Sequence, residues 1–333
     1  MTPKVFKAMV VTETEDNRYL RSIREKSVDE LPPGDVLVKV AYSSVNYKDV
    51  LSATGNKGVT KKYPHTPGID AAGVVAQSAS PALRPGDEVI VTSYDLGMNT
   101  PGGFGQYIRV PPDWVVKLPS GLSLRESMIY GTAGFTAALS IYKMVSLGVT
   151  PEKGEVLVSG ATGGVGSVAV STLAQAGYRV VAINGVVDQT EYLLELGAQR
   201  VISIEEATDT SGKPLLQGLW AGSVDCVGGP ILATTIKASQ YGGVVTCCGN
   251  VASPDLPLTV YPFILRGVTL VGIDSQNCPM EVRLKVWEKI AGDWKLANLD
   301  KVVTEVDLAG LDECIDLILK RKHRGRTIVK LAD

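Results

Sequence analysis

The segment GATGGVG, Gly160 to Gly166, stands directly behind the apolar run VLVS and ahead of SVAVSTLAQA. Glycines let a backbone approach a bound group closely, and a helix N-terminus offers free N–H groups and partial positive charge. Together these suit a pyrophosphate. The spacing is GxxGxxG (Gly160, Gly163, Gly166) rather than GxGxxG, so the loop alone also reads as a close-packed turn. A second stretch with chemistry in it is VNYKD, where Asn46 offers an amide donor, Tyr47 a phenol and Asp49 an acceptor. Such residues often satisfy nearby backbone N–H groups, so a plain polar turn competes with a catalytic role. Little else in the chain looks like a reagent. His65 and His323, the two histidines, have no partner pattern, and no CxxC or HExxH occurs, so a zinc site has no obvious ligands. The five cysteines, Cys226, Cys247, Cys248, Cys278 and Cys314, follow no framework spacing and read as reduced thiols of a cytoplasmic protein.

The elements that must hold these groups come in two textures. From Lys4 to about Leu118 the chain has short β-rich runs, VFKAMVV, DVLVKVAYSSV, AAGVVAQS, DEVIVTSY and GQYIRVP, punctuated by Gly and Pro. Strands of this length and spacing imply a β barrel or sandwich. From about Ser123 strands alternate with helices: VLVS, SVAVSTLAQAG, RVVAI, DQTEYLLELGA, RVISI, SVDCVG, PILATTIKASQY, GVVTCCG and VTLVGI. That alternation is the signature of a parallel sheet covered on both faces. It gives the glycine loop the strand–loop–helix setting that a dinucleotide needs, with Thr162, Gly163, Gly164 and Val165 as its contacts. An NAD site would place Asp or Glu at the tip of RVVAI, but Asn184 and Gly185 stand there. A 2′-phosphate is therefore tolerated and NADP favoured, although no Lys or Arg adjoins it and the pair also reads as a permissive loop.

With 333 residues, the chain exceeds the size at which one core stops growing, so two domains are expected. Its 45% hydrophobic and 20% charged content are those of an ordinary globular protein, and a net charge of -2 gives no reason to propose nucleic acid or an acidic membrane as partner. The opening MTPKVFKAMVVTETED is not expected to be a signal peptide, because charge returns after four apolar residues. The charge-free stretch from Val156 to Tyr178 reads as strand, turn and helix rather than a membrane span.

VNYKDVL, YPHTPGIDAAGVV, RPGDEV, GGFGQYIRVPPDWVVKLP, GTAGFTAALS, GATGGVGSVAV, YLLELGA, VYPFILRGV and RTIVKL occur in this order across nearly the whole chain. The set resembles the zinc-free quinone-oxidoreductase branch of the medium-chain dehydrogenase/reductase superfamily, and within it the acrylyl-CoA reductase subfamily. The resemblance implies an α/β protein: a GroES-like β-rich catalytic domain (1–122 and 297–333) with a Rossmann doubly wound domain (123–296) inserted. It also implies NADPH in a cleft and a homodimer joined through the Rossmann sheets. Zinc-dependent relatives carry cysteine where Asn46 stands, and a four-cysteine lobe that is missing here. One departure concerns the second strand's end, where relatives commonly carry a basic third residue and this chain has Asn184-Gly185-Val186. Some use of NADH is expected from that.

The resemblance further implies hydride transfer from NADPH to the β carbon of a small α,β-unsaturated thioester such as acryloyl-CoA. Without metal, the developing oxygen charge needs hydrogen-bond donors in a water-poor site. Asn46 is expected as orienting donor and Asp49 as a positioning group for cofactor or substrate, with Tyr47 beside them and Tyr63 a rival proton donor. Arg326 either holds a phosphate or carboxylate of the acyl-CoA or belongs to a solvated basic run, KRKHRGR. Gly249, Asn250 and Ser275, at the carboxyl ends of late strands, are expected to touch the nicotinamide half. Phe263 and Ile264 either cover its ring or pack a dimer edge. The alternatives are a quinone as acceptor, and a non-catalytic NADPH-binding protein on the same fold.

Overall fold

The computed structural model describes residues 4–185, 189–320 and 322–332. Val186, named above with the second strand's end, lies outside them. The described residues form, in chain order, β1 (Val5–Glu13), β2 (Tyr19–Ser27), β3 (Val36–Ser44), α1 (Tyr47–Ala53), β4 (Asp70–Ser78), β5 (Glu88–Thr92), β6 (Tyr107–Val110), β7 (Val115–Lys117) and α2 (Leu124–Ser146). There follow β8 (Glu155–Val158), α3 (Gly164–Gln175), β9 (Arg179–Asn184), α4 (Thr190–Glu195), β10 (Arg200–Ser203), β11 (Trp220–Asp225), α5 (Gly229–Lys237) and β12 (Ser239–Cys247). The last elements are α6 (Tyr261–Arg266), β13 (Thr269–Gly272), α7 (Met280–Ala291), β14 (Val303–Val306), α8 (Leu311–Leu319) and β15 (Arg326–Lys330). No described helix is long and apolar enough to cross a membrane.

These elements fall into two compact units, one of Met1–Thr132, Gln276–Leu284 and Val302–Asp333, the other of Ala133–Ser275 and Lys285–Lys301. The division differs from 1–122, 123–296 and 297–333. Residues 123–132 and 276–284 pack with the β-rich unit, and 297–301 with the other. The chain thus changes unit inside α2 and α7, where a change of sequence texture gives no sign of it.

The β-rich unit is built on a sheet in the order β14-β15-β3-β4-β5-β7, with β6 also paired to β3, and a separate β1–β2 hairpin. Along β3 the run VLVKV buries every residue but Lys39. Its apolar side joins Val89, Val91, Phe104, Ile108 and Ile315 in one core cluster. At Gly73 in β4 there is no room for a side chain against β3, since an added Cβ would lie 2.0 Å from the Lys39 carbonyl oxygen.

In the other unit the six strands run in the order β10-β9-β8-β11-β12-β13, all pairs parallel. The chain winds outward from β8 to β10, then returns to β11 beside β8 and winds the other way. The strand order therefore reverses between β8 and β11, and the carboxyl ends of strands at such a reversal are where open α/β sheets bind ligands. Val156, Leu157, Val158 and Val180 to Ile183 are buried, the near-continuous apolar run that a sheet covered on both faces requires.

Candidate functional site

In the β-rich unit the VNYKD stretch opens a helix. Asn46 is the N-cap of α1, and Asp49, three residues on, accepts from the Asn46 N–H at 2.7 Å, as in a capping box. The other oxygen of Asp49 accepts from the Gly68 and Ile69 N–H groups at 3.1 and 2.7 Å. Asp49 is fully buried. Burial, then the nearby Asp70 carboxylate, push its pKa up to about 7, while the backbone donors of Asn46 and Ile69 oppose this. It is a clamp between the start of α1 and the segment entering β4, with no face left for cofactor or substrate. For Asp49 the local-backbone alternative describes the geometry.

Asn46 does not present a free amide either. Its Nδ2 donates to Asp70 Oδ2 at 2.7 Å and lies 3.3 Å from the Ser44 carbonyl, and its Oδ1 accepts from Arg326 at 3.3 Å. Arg326 is 2% exposed and gives its remaining donors to the carbonyls of Ile129 and Val45 and to Ser44 Oγ. A phosphate or carboxylate of an acyl-CoA cannot reach this guanidinium, and it is no solvated helix end. Both expectations for Arg326 give way to a third: it is a buried cation that organises Asn46. Burial holds its pKa below the ordinary guanidinium range, while Asp70 and Asp49 oppose this.

Sequence reasoning missed the partner that ties this cluster together. Asp70 accepts from Ser44 Oγ, Asn46 Nδ2, and the N–H and hydroxyl of Thr132. Thr132 arrives there because α2 breaks its helical path at Gly131, with φ 50° and ψ -155°. A Cβ at Gly131 would stand 2.3 Å from Ser44 Oγ and 2.5 Å from Asp70 Oδ2. The available signals were the motifs PGIDA and GTAG, which offer no hint that they meet. Tyr47, by contrast, is 63% exposed, so its phenol is open. Tyr63 donates its hydroxyl to the Ser52 carbonyl at 2.7 Å and packs on Tyr19, so its proton is committed to the protein. Lys48 is hydrogen-bonded to Gln276, and His65 to the Gly97 carbonyl.

In the parallel-sheet unit the glycines divide by physical need. Gly160 has φ 60°, the left-handed region that favours glycine, and at Gly166 a Cβ would lie 2.2 Å from the Gly160 carbonyl oxygen. These two are demanded by the fold. At Gly163 nothing comes closer than 3.4 Å, so the backbone there is bare without a packing reason. Gly163 caps α3 with no side-chain hydrogen bond, leaving the first N–H groups of the helix, from Gly164 on, without intrahelical partners. Bare backbone at the start of a 12-residue helix, at the point where strand order reverses, fits a dinucleotide pyrophosphate.

The other expected contacts are scattered around the strand ends of this unit. Asn184 is half-buried with Nδ2 donating to Thr190 Oγ1 at 3.3 Å, and Gly185 is exposed. Gly249 is bare for a packing reason, since a Cβ would lie 2.2 Å from the Cys226 carbonyl oxygen, and Asn250 is exposed. Ser275 Oγ accepts from Thr136 at 2.7 Å. Phe263 packs on the cluster of Leu232, Ile236, Val245 and Val268, whereas Ile264 is 68% exposed. A residue missed in the sequence is Asp225, buried at the end of β11. It accepts from Ser159 Oγ at 2.6 Å and from the Gly228 N–H at 2.8 Å, which ties the entry to the glycine loop to the loop after β11.

Residues 32–120 match the family described as Alcohol dehydrogenase GroES-like domain, and 164–292 that described as Zinc-binding dehydrogenase. YhfP of Bacillus subtilis, which carries a quinone-oxidoreductase name, is 49% identical over 93% of this chain and 94% of its own length. The chain belongs to the quinone-oxidoreductase branch of the medium-chain dehydrogenase/reductase superfamily. The acrylyl-CoA reductase AcuI of Ruegeria pomeroyi is 42% identical over 98% of this chain and 99% of its own. The YhdH oxidoreductase of Salmonella enterica, solved with NADP, superposes with a TM-score of 0.95 at 41% identity, covering 98% of this chain and 100% of that one. The structure of YhfP with NAD bound gives a TM-score of 0.96 at 47% identity, with the same coverage. This member of the superfamily is an oxidoreductase with the GroES-like and Rossmann architecture that the ordered motifs implied. Among its described residues no group of three or more His, Cys, Asp and Glu is placed to hold a metal ion.

Proposed function

We propose that the enzyme reduces the C=C bond of a small α,β-unsaturated acyl-CoA, of the acryloyl-CoA kind, with NADPH. The observation that carries the cofactor half is the bare N-terminus of α3 at Gly163, an anion site that the packing alone does not require. The acceptor half draws on the 42% identity to a named acrylyl-CoA reductase. Thr162, Gly163, Gly164 and Val165 would hold the pyrophosphate, Asn184 and Gly185 the adenine ribose, and Gly249, Asn250 and Ser275 the nicotinamide half. When bound, NADPH supplies the hydride for the β carbon. One relative is solved with NADP and another with NAD. With the neutral Asn184 facing the ribose, NADPH is preferred but NADH is also used.

The chain's own residues divide the rest of the work. Tyr47 is the donor to the reacting carbonyl, because its phenol alone in the VNYKD stretch is open. Asn46, its amide held at one end by Asp70 and at the other by Arg326, fixes the start of α1 that carries Tyr47 rather than meeting the substrate itself. Asp49 and Arg326 act only through Asn46 and are positioning residues. The donor set around position 46 is amide, phenol and carboxylate, hard groups without thiolate or imidazole, and suits hydrogen bonding rather than zinc.

A quinone is the second reading for the acceptor, favoured by the name of the 49% identical YhfP. Burial of Arg326 removes the cation that would have spoken for CoA. We also place the enzyme in the cytoplasm, on its five thiols without framework spacing, as a homodimer. The dimer is supported by the free edge of β13 beside exposed Val260, Tyr261, Ile264 and Leu265. The deciding assay is the loss of reduced-nicotinamide absorbance with acryloyl-CoA, NADPH and NADH run side by side, and a simple quinone as control. Thioester-dependent oxidation bears out the first reading, and oxidation with quinone alone moves the enzyme to the second. Silence with both, despite NADPH binding, leaves a non-catalytic binder.

A further inference from the structure

Three half-buried thiols stand at the carboxyl end of the parallel sheet, outside any role assigned above: Cys226 just past β11, and Cys247 and Cys248 at and past the end of β12. Two of them touch. Cys248 Sγ lies 3.7 Å from Cys226 Sγ and 3.2 Å from the Asp225 carbonyl oxygen. The backbones that carry them are already tied, by Cys248 N–H to the Asp225 carbonyl at 2.9 Å and Ala252 N–H to the Val227 carbonyl at 2.9 Å. Asp225 and Cys247 are register partners, so Cys226 and Cys248 stand opposite one another just past the ladder. Neighbouring strands lie about 4.8 Å apart, within the span of Cα separations that a disulfide bridges.

We propose that Cys226 and Cys248 form a dithiol that a small-molecule disulfide oxidises to an intramolecular bond, and that this bond weakens dinucleotide binding. The chemistry balances as an exchange. The Cys248 thiolate attacks one sulfur of oxidised glutathione and displaces a glutathione thiolate. Cys226 then loses its proton to solvent and attacks Cys248 Sγ, displacing the second glutathione. Two protein thiols are oxidised and one reagent disulfide is reduced to two thiols. The contact with Cys248 and then burial push the Cys226 thiol above its ordinary pKa. Cys247, whose Sγ turns toward the Gly249 carbonyl at 3.9 Å, takes no part.

The coupling to the cofactor rests on the reading that the glycine loop and the Gly249-Asn250 loop hold it. Cys226 is wedged between them: a Cβ on Gly160 would lie 3.2 Å from its Cβ, and one on Gly249 2.2 Å from its carbonyl oxygen. Closing the sulfurs from 3.7 Å to about 2.05 Å draws Cys226 toward Cys248 and off the glycine loop. By linkage, bound NADPH must protect the dithiol by the same factor by which the bond weakens NADPH.

The test equilibrates the full-length protein in glutathione buffers of rising oxidised fraction, counts free thiols, maps cross-linked peptides and titrates NADPH by fluorescence. We expect two of the five thiols to be lost in a peptide joining Cys226 to Cys248. We also expect the NADPH Kd to rise roughly fivefold or more, and saturating NADPH to shift half-oxidation equally. Cys226→Ser and Cys248→Ser should each abolish both changes, while Cys247→Ser keeps them. Five thiols retained throughout, or a Cys247–Cys248 link instead, overturns the dithiol. A Cys226–Cys248 bond with an unchanged NADPH Kd overturns the coupling. Failure of the reduced protein to bind NADPH overturns the cofactor reading, and the thiol count still decides the bond.

Discussion

At the scale of single residues, Asn46 stands in a cluster whose charges are all turned inward. Asp49, Asp70 and Arg326 are buried together, and each spends its hydrogen-bonding capacity on the protein, so the cluster can shape Asn46 but cannot meet a ligand. Tyr47 is the open member, and Tyr47→Phe should lower kcat with the thioester about 10²-fold while leaving the NADPH Kd unchanged, as stopped-flow and fluorescence titration would show. The cluster also predicts a pH signature. Asp49 has its folded pKa raised from 3.8 to about 7, so between those values the folded state holds more proton than the unfolded one. Its contribution to stability is full at low pH and lost as pH rises toward 7. His323, half-buried and near Arg326, goes the other way. Its folded pKa is lowered to about 4 from 6.5, so the unfolded state binds more proton and stability is gained as pH rises through that window. The two oppose each other in the wild type. Denaturant unfolding from pH 4 to 7 should show Asp49→Asn losing a falling component and His323→Gln losing a rising one.

At the scale of elements, glycines decide how loops and helices meet. Gly131 turns α2 over the Asp70 cluster, and its φ of 50° combines with a clash of 2.3 Å to exclude a side chain. Gly131→Ala should therefore cost about 1–3 kcal/mol in strain alone, read as a lower midpoint in denaturant, and loosen Asn46 as well. The GxxGxxG loop offers a cleaner dissection. Gly166→Ala, 2.2 Å from the Gly160 carbonyl, should destabilise the parallel-sheet unit. Gly163→Ala has room, so it should leave the melting temperature within error and weaken NADPH by filling the bare helix N-terminus. Equal stability losses in both variants would mean that the loop is only a turn. The sequence spacing made these glycines look alike. It is the packing of β8 against α3 that separates the structural pair from the one with a ligand to explain.

At the scale of the whole molecule, the open edge of β13 and the apolar face of α6 set the expected assembly. A homodimer should elute at twice the chain's 35.3 kDa in light scattering, and Ile264→Asp with Leu265→Lys should return it to monomer. Much of the fold was legible in order: the apolar runs became β3, β4, β5, β8, β9 and β12, and strand–helix alternation became the parallel sheet, because local periodicity follows which face of an element is buried. β2 escaped, since YLRSIREKS buries no residue fully, and α1 was hidden because its first turn is the polar VNYKD itself. Of the site, the sequence by itself determined the chemistry on hand: the glycine loop after a strand, the amide and phenol at 46 and 47, and the lack of a histidine–cysteine set. Only the tertiary structure decided what those groups could do. Burial turned Asp49 and Arg326 from reagents into supports, and the fold brought Asp70, 24 residues from Asn46, into hydrogen bond with it and set Cys226 against Cys248. Such pairings depend on contacts between distant segments and on removal from water, and neither leaves a mark on residue type or spacing.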